Sequence, residues 1–133
     1  MKSKSVFQVS SFIIVGCSAA AVHLGVVIAL VRVFAWAPLW ANPLAWVIAF
    51  CVSFSGHWLL TFRARKKLLW AAVARFFAIS AGGFLINQLL YAVILDVSKV
   101  RFDLILAVVL VLVAIATYFL SSVWAFADRS NRN

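Results

Sequence analysis

Polar side chains that could hydrogen-bond a polar solute occur inside otherwise apolar segments of this sequence. His23 lies in the apolar run 11–34, and Asn87 lies in the run 71–95. Polar groups at membrane depth are costly and usually face a bundle interior or a water-filled cavity. A neutral His23 that only bonds another helix is an equally weighted interpretation. The candidate residues for a polar path are His23, Asn87, Gln88, Ser53 and His57.

Cations cluster where the second apolar run ends. They could bind a phosphate group or lipid headgroups, although the preference of cations for cytoplasmic loops explains the cluster by itself. The candidate phosphate-binding or headgroup-binding residues are Arg63, Arg65, Lys66, Lys67 and Arg75. The sequence has no paired carboxylates, metal-ligand spacing or nucleophile constellation, so we expect no enzyme activity, no metal and no cofactor. Cys17 and Cys51 are expected to be small packing residues.

The composition is that of a membrane protein. Hydrophobic residues make up 67% of the chain and charged residues 11%, whereas charged residues are about a quarter of a soluble domain. The net charge of +9 is distributed beside the apolar runs. This distribution favours anionic lipids as partners and argues against nucleic acid.

Four apolar runs are long enough to cross a bilayer. A hydrocarbon core of about 30 Å needs about 20 helical residues, and the predicted spans are 11–34, 42–62, 71–95 and 104–126. We therefore expect one all-α domain over 1–133, an integral membrane four-helix bundle that can also form homo-oligomers. Pro38 is expected to break the helix in an outer turn, and Asn42 to cap the second span.

Runs of small residues predict close helix packing, because packing drives helix association in lipid. We expect such a face over 16–21 in the first span and at Gly82 and Gly83 in the third.

The cations also predict the orientation. Of the 12 Lys and Arg residues, three lie on one predicted side, namely Arg32, Lys99 and Arg101. The other nine lie on the side of both termini, which the positive-inside rule makes cytoplasmic. The expected location is the cytoplasmic (inner) membrane, with several spans.

An internal repeat is suggested by the spacing of polar and aromatic residues. An offset of 64 positions pairs His23 with Asn87 and Ser53 with Thr117. Each half would contain two spans, and such halves would form two parallel two-helix repeats.

The sequence resembles the GtrA-like family of small four-span membrane proteins over about 12–126. The first half carries the resemblance in Phe12, Val15, Gly16, Ala41, Asn42, Ala49, Phe50, Ser53, Phe54, Gly56, His57, Thr61 and Phe62. The second half carries it in Arg75, Phe76, Asn87, Trp124 and Phe126. At His23 this chain departs from the acidic residue that the family often has.

The resemblance implies a role in cell-surface polysaccharide synthesis, in which a polyprenyl-phosphate-linked sugar is moved or handled beside a membrane glycosyltransferase. One hypothesis is therefore a flippase for that lipid. The alternative is a non-catalytic membrane subunit that recruits or orients the glycosyltransferase. A small proton-coupled exporter ranks last, because Asp96, Asp103 and Asp128 lie at or beyond the span ends.

Overall fold

The described residues of this chain form four long helices. The computed structural model describes the backbone of residues 2–60 and 70–130, and the side chains of 10–11, 13–56, 59, 74 and 76–116. The helices are α1 (Lys2–Phe34), α2 (Pro38–Leu60), α3 (Trp70–Val97) and α4 (Phe102–Ser130). The described backbone contains no strand, so the all-α prediction is confirmed.

Three segments are long and apolar enough to cross a membrane among the residues whose structure is described. They are Ile13–Phe34, Pro38–Gly56 and Phe76–Val97, and at most 22% of the apolar window in any of them is buried. Such exposed apolar surface is suited to lipid. The described apolar part of α4, Phe102–Ala116, is shorter, so a fourth span remains a prediction.

The first turn is tighter than the sequence predicted. α1 ends at Phe34 and α2 begins at Pro38, so Pro38 starts a helix and the prediction that it breaks one was wrong. Proline is tolerated at a first helical position, where its missing N–H has no helical partner in any case. The Ala37 carbonyl accepts hydrogen bonds from the N–H groups of Trp40 (3.0 Å) and Ala41 (3.1 Å). Asn42 is therefore not the cap.

Helices α1 and α2 pack along faces with a four-residue period. The buried positions of α1 are Ser11, Val15, Ala19, His23 and Val27, and those of α2 are Ala41, Asn42, Ala45 and Ala49. Residues four apart lie on one face of a helix. The α2 face has three alanines and the α1 face has one, Ala19, and small side chains let the two backbones approach closely.

The small-residue runs are only partly buried. Within 16–21, Ala19 is buried while Gly16 and Cys17 are exposed, because successive helical residues rotate by about 100° and six of them encircle the helix. Cys51 is exposed as well. A Cβ atom on Gly82 would meet no atom within 4 Å. The predicted close packing is therefore not found at Gly16 or Gly82 among the described residues, whereas a Cβ atom on Gly83 would lie 3.9 Å from Val113 Cγ1.

The structure divides into two units, residues 1–82 and 83–133. Five buried positions of the first unit match buried positions of the second at the offset of 64 that relates the starts of α2 and α4. The buried pairs are His23 with Asn87, Val27 with Tyr91, Ala41 with Ile105, Asn42 with Leu106, and Ala45 with Val109. This recurrence of burial supports an internal repeat.

We predict that Ala35→Gly stabilises the protein by about 1 kcal/mol. Ala35 has a φ of 56°, a left-handed conformation that costs an L-residue about 1–2 kcal/mol and glycine much less. Thermal unfolding in detergent measures the change. Ala35→Val should have the opposite effect, because a β-branched side chain fits this conformation worst. Equal stability of the two variants would contradict the strain.

We also predict that Gly56→Ala loosens the α1–α2 contact. A Cβ atom there would lie 2.8 Å from Val15 Cγ1 and 3.0 Å from Cγ2, so we expect a loss of about 1–3 kcal/mol from overpacking. Val15→Ala should restore stability in the double variant. Gly25→Ala is the matched control, since a Cβ atom at Gly25 would meet nothing within 4 Å.

The stability of Gly56→Ala, of its double variant with Val15→Ala and of Gly25→Ala is measured by thermal unfolding in detergent. If Gly56→Ala were as stable as Gly25→Ala, the close approach at Gly56 would be refuted.

Candidate functional site

A buried hydrogen bond between two polar side chains joins α1 to α2. His23 Nε2 lies 2.7 Å from Asn42 Oδ1, and the two residues are 5% and 0% exposed. An amide oxygen only accepts hydrogen bonds, so the imidazole Nε2–H donates to it. His23 is central in the Ile13–Phe34 span, whereas Asn42 lies one turn inside Pro38–Gly56.

The surroundings of this pair are small and apolar. Ala19 and Val27 flank His23 at four-residue spacing, and Ala45 lies at the same spacing after Ala41. The pair is therefore a local polar site within an apolar helix contact. The sequence identified His23 but not its partner, because Asn42 carried the signal of a helix cap.

The other two residues of the first unit that were predicted to line the polar path are Ser53 and His57. Ser53 is half-buried on α2. The side chain of His57 lies outside the described residues, as does that of Arg75. The predicted phosphate-binding cluster Arg63, Arg65, Lys66 and Lys67 also lies outside the described residues.

An aromatic cluster connects α2 with the first part of α3. The Trp46 indole N–H donates to Ser80 Oγ at 3.1 Å, and the Trp46 and Phe77 ring centroids are 5.8 Å apart. Phe50 meets Phe76 at 5.6 Å and Phe77 edge-on at 5.5 Å. Edge-to-face pairs at such distances are favourable. This cluster packs the first part of α3 against α2, and Trp46 and Phe50 follow Asn42 at four-residue intervals on the same side of α2.

The second unit has its own buried polar residues. Asn87 is 3% exposed and Tyr91, one turn later on α3, is 0% exposed. Gln88 is half-buried. The Tyr91 hydroxyl has no hydrogen-bond partner among the described residues, which is unusual for a buried hydroxyl. Sequence reasoning missed Tyr91, because tyrosine in an apolar run resembles an interfacial aromatic residue.

An ion pair organises the turn before α4. Arg101 donates to Asp103 through Nε (3.2 Å to Oδ1) and Nη2 (2.7 Å to Oδ2). The Leu104 N–H donates to Asp103 Oδ1 at 3.1 Å. The hydrogen bonds from Arg101 lower the pKa of the Asp103 carboxyl, and the same contact raises the pKa of the Arg101 guanidinium. A carboxylate in the first turn of α4 also suits the helix dipole.

A match to a known family spans the buried polar residues of both units. The family model of the GtrA/DPMS transmembrane domain matches residues 11–126. The chain belongs to this family. Comparisons with the curated proteins and with the solved structures found no match.

Membership in the GtrA/DPMS family supports a role in sugar handling for membrane glycosylation. Proteins of this family are generally non-catalytic membrane proteins. Within the family domain, the structure places His23 and Asn42 together in the first unit, and Asn87 and Tyr91 on one face of α3 in the second.

We predict that the Asp103 ion pair makes stability depend on acid pH. The folded-state pKa of Asp103 is lowered, so its contribution is fully present above the unfolded pKa of about 3.9. It is lost as the pH falls through the folded pKa. The chain has three acidic side chains in total, so few other carboxyls interfere.

Thermal unfolding of the wild type and of Asp103→Asn should be measured from about pH 6 to about pH 3. The advantage of the wild type should shrink towards the acid end. An advantage that stayed constant or grew would show that the ion pair does not stabilise the fold.

Proposed function

We propose that this protein translocates a polyprenyl-phosphate-linked sugar across the cytoplasmic membrane for cell-surface polysaccharide synthesis. Family membership supports the class of molecule, a lipid-linked sugar handled at the membrane. The feature that supports translocation is the buried polar contact between His23 and Asn42 inside an apolar helix pair.

The energetics of that contact favour a role beyond packing. Hydrogen bonds between membrane helices contribute only about 0.6 kcal/mol on average. The free-energy cost of placing an imidazole and an amide inside apolar spans is high compared with this small gain in stability. Ionisable residues inside a membrane are by default candidates for a substrate pathway, and His23 and Asn42 can exchange their mutual bond for bonds to sugar hydroxyls.

Each unit by itself contains further candidate residues for handling the sugar. Asn87 and Gln88 would supply amides in the second unit, and Ser53 and His57 would supply polar groups near the cytoplasmic end of α2. The cations proposed to receive the lipid phosphate are Arg63, Arg65, Lys66, Lys67 and Arg75. A flexible phosphate ester needs only point charges at the membrane surface, which lysine and arginine provide.

A second candidate function is a non-catalytic subunit that orients a membrane glycosyltransferase. Its support is an exposed stripe of small residues on α1 at four-residue intervals, namely Cys17, Ala21, Gly25 and Ala29. Small residues at this spacing suit close contact with another membrane helix. This function requires a glycosyltransferase partner and does not require the buried polar pair.

The two functions are separated by transfer in proteoliposomes that contain only this protein. We expect a radiolabelled polyprenyl-phosphate sugar to cross, and His23→Leu, Asn42→Leu and Asn87→Leu each to slow transfer about tenfold, the loss expected for one hydrogen bond to the moving sugar. Asn42→Leu has a steric precedent, because Leu106 occupies the position 64 residues later.

Transfer is measured per correctly inserted molecule, with detergent stability recorded for each variant. Val27→Leu, an apolar change on the same face of α1, is the control and should transfer normally. Absence of transfer by the wild type, together with co-purification of a glycosyltransferase from the native membrane, would refute translocation and favour the subunit function. Normal transfer in all three polar variants would remove these residues from the pathway.

A further inference from the structure

A small apolar groove lies beside the turn between α3 and α4 in the second unit. It has a volume of about 210 Å³ and opens to the surface. Its lining residues are Ile94, Ser98, Val100, Leu104, Ile105 and Val108. Ser98 is the only polar one among them, and its Oγ accepts a hydrogen bond from the Val100 N–H at 3.4 Å. The groove therefore offers hydrocarbon contact and little polarity.

Two cations alternate with the groove residues along this turn. Lys99 and Arg101 are both exposed, and each is a sequence neighbour of Val100. Asp96 and Asp103 balance the two cations in net charge, so an anion would be attracted by the local positions of Lys99 and Arg101 and not by a net positive charge of the turn. Asp103 is 11% exposed at its side chain and already bonded to Arg101. Asp96 is two residues from Ile94 on α3, which places it about 200° around the helix from the groove face.

Arg101 is held ready for a second anion. Its bonds to Asp103 use Nε and Nη2, and a guanidinium has five N–H donors, so three N–H groups remain for another acceptor. The side chain is 65% exposed. Because Asp103 already fixes the orientation of the guanidinium, a second anion binds with less loss of side-chain entropy.

The first unit has different residue types at the positions equivalent to the groove residues and the two cations. At the offset of 64, large aromatic residues replace the small groove residues: Phe34, Trp36 and Trp40 stand where the second unit has Ser98, Val100 and Leu104. Ala35 and Ala37 stand where it has Lys99 and Arg101. Within one repeated framework, the second turn therefore carries cations at 99 and 101 where the first turn has alanine.

We propose that this turn is a binding site for an anionic phospholipid. One hydrocarbon chain lies in the groove, and the headgroup phosphate contacts Lys99 and the free N–H groups of Arg101. A phospholipid meets both requirements at once, because the bilayer supplies its chain at the groove and its charge at the membrane surface. The site is separate from the proposed translocation path and goes beyond it.

The test compares anionic with zwitterionic lipid at the groove itself. The full chain, with Cys17→Ala and Cys51→Ala so that no native thiol reacts, carries a bimane fluorophore on Val97→Cys, an exposed position beside the groove. It is reconstituted in phosphatidylcholine vesicles containing a minor share of brominated phosphatidylglycerol or brominated phosphatidylcholine. Bromine quenches the fluorophore on contact. A second label position, Ile86→Cys, is exposed on the same helix away from the groove.

We expect brominated phosphatidylglycerol to be enriched about fivefold over brominated phosphatidylcholine at position 97, the factor for about 1 kcal/mol from one membrane-surface cation. No preference is expected at position 86. Lys99→Ala should abolish most of the preference and leaves the ion pair intact. Arg101→Gln combined with Asp103→Asn removes the other cation without leaving a buried carboxylate unpaired.

Leu104→Trp tests the groove, since Trp40 shows that the framework accepts tryptophan at the equivalent position. It should remove the preference at position 97 while both cations remain. Equal quenching by the two lipids at position 97 would overturn the proposal. A preference that survived removal of the cations would overturn the headgroup contact, and one that survived Leu104→Trp would overturn the role of the groove.

Discussion

The absence of hydrogen-bond partners in hydrocarbon is the constraint on which this structure depends. Every backbone amide in the apolar segments must bond within its own helix, which gives the four long helices of the described residues. The same constraint acts on side chains. His23 and Asn42 are tolerated within apolar segments because each bonds the other at 2.7 Å, and they can do so because alanine at the neighbouring positions brings α1 and α2 close together.

The α1–α2 contact shows how packing and polarity are combined. Its buried residues repeat every four positions on both helices, and Gly56 receives the methyl groups of Val15 where no Cβ could fit. The polar pair is itself shielded from lipid, since His23 is 5% exposed and Asn42 is 0% exposed. A change that separated the helices at this pair would expose the imidazole and the amide to hydrocarbon.

The sequence was sufficient to predict what depends on composition and length. The cost of polar groups in lipid predicts the positions of the helices and their apolar character. It also predicts that His23 and Asn87 are buried, as they are. The register between helices does not, because it is set by which small residues meet. That is why Asn42 resembled a cap, and why the run 16–21 was predicted as one buried face when Ala19 alone is covered there. Pro38 was misjudged because the same residue can end one helix or begin the next.

The two units differ in how their polar residues are satisfied. At the position equivalent to Asn42, the second unit has Leu106, and at that of Val27 it has Tyr91. In the first unit the polar side chains bond each other, whereas the buried Tyr91 hydroxyl has no hydrogen-bond partner among the described residues. An unsatisfied buried hydroxyl costs about 1–3 kcal/mol. That cost disappears in any arrangement that gives the hydroxyl an acceptor, including the hydroxyls of a sugar. A polar solute that offered the Tyr91 hydroxyl an acceptor would therefore offset this cost in the second unit, whereas in the first unit a solute could bond His23 or Asn42 only after their mutual hydrogen bond had been broken.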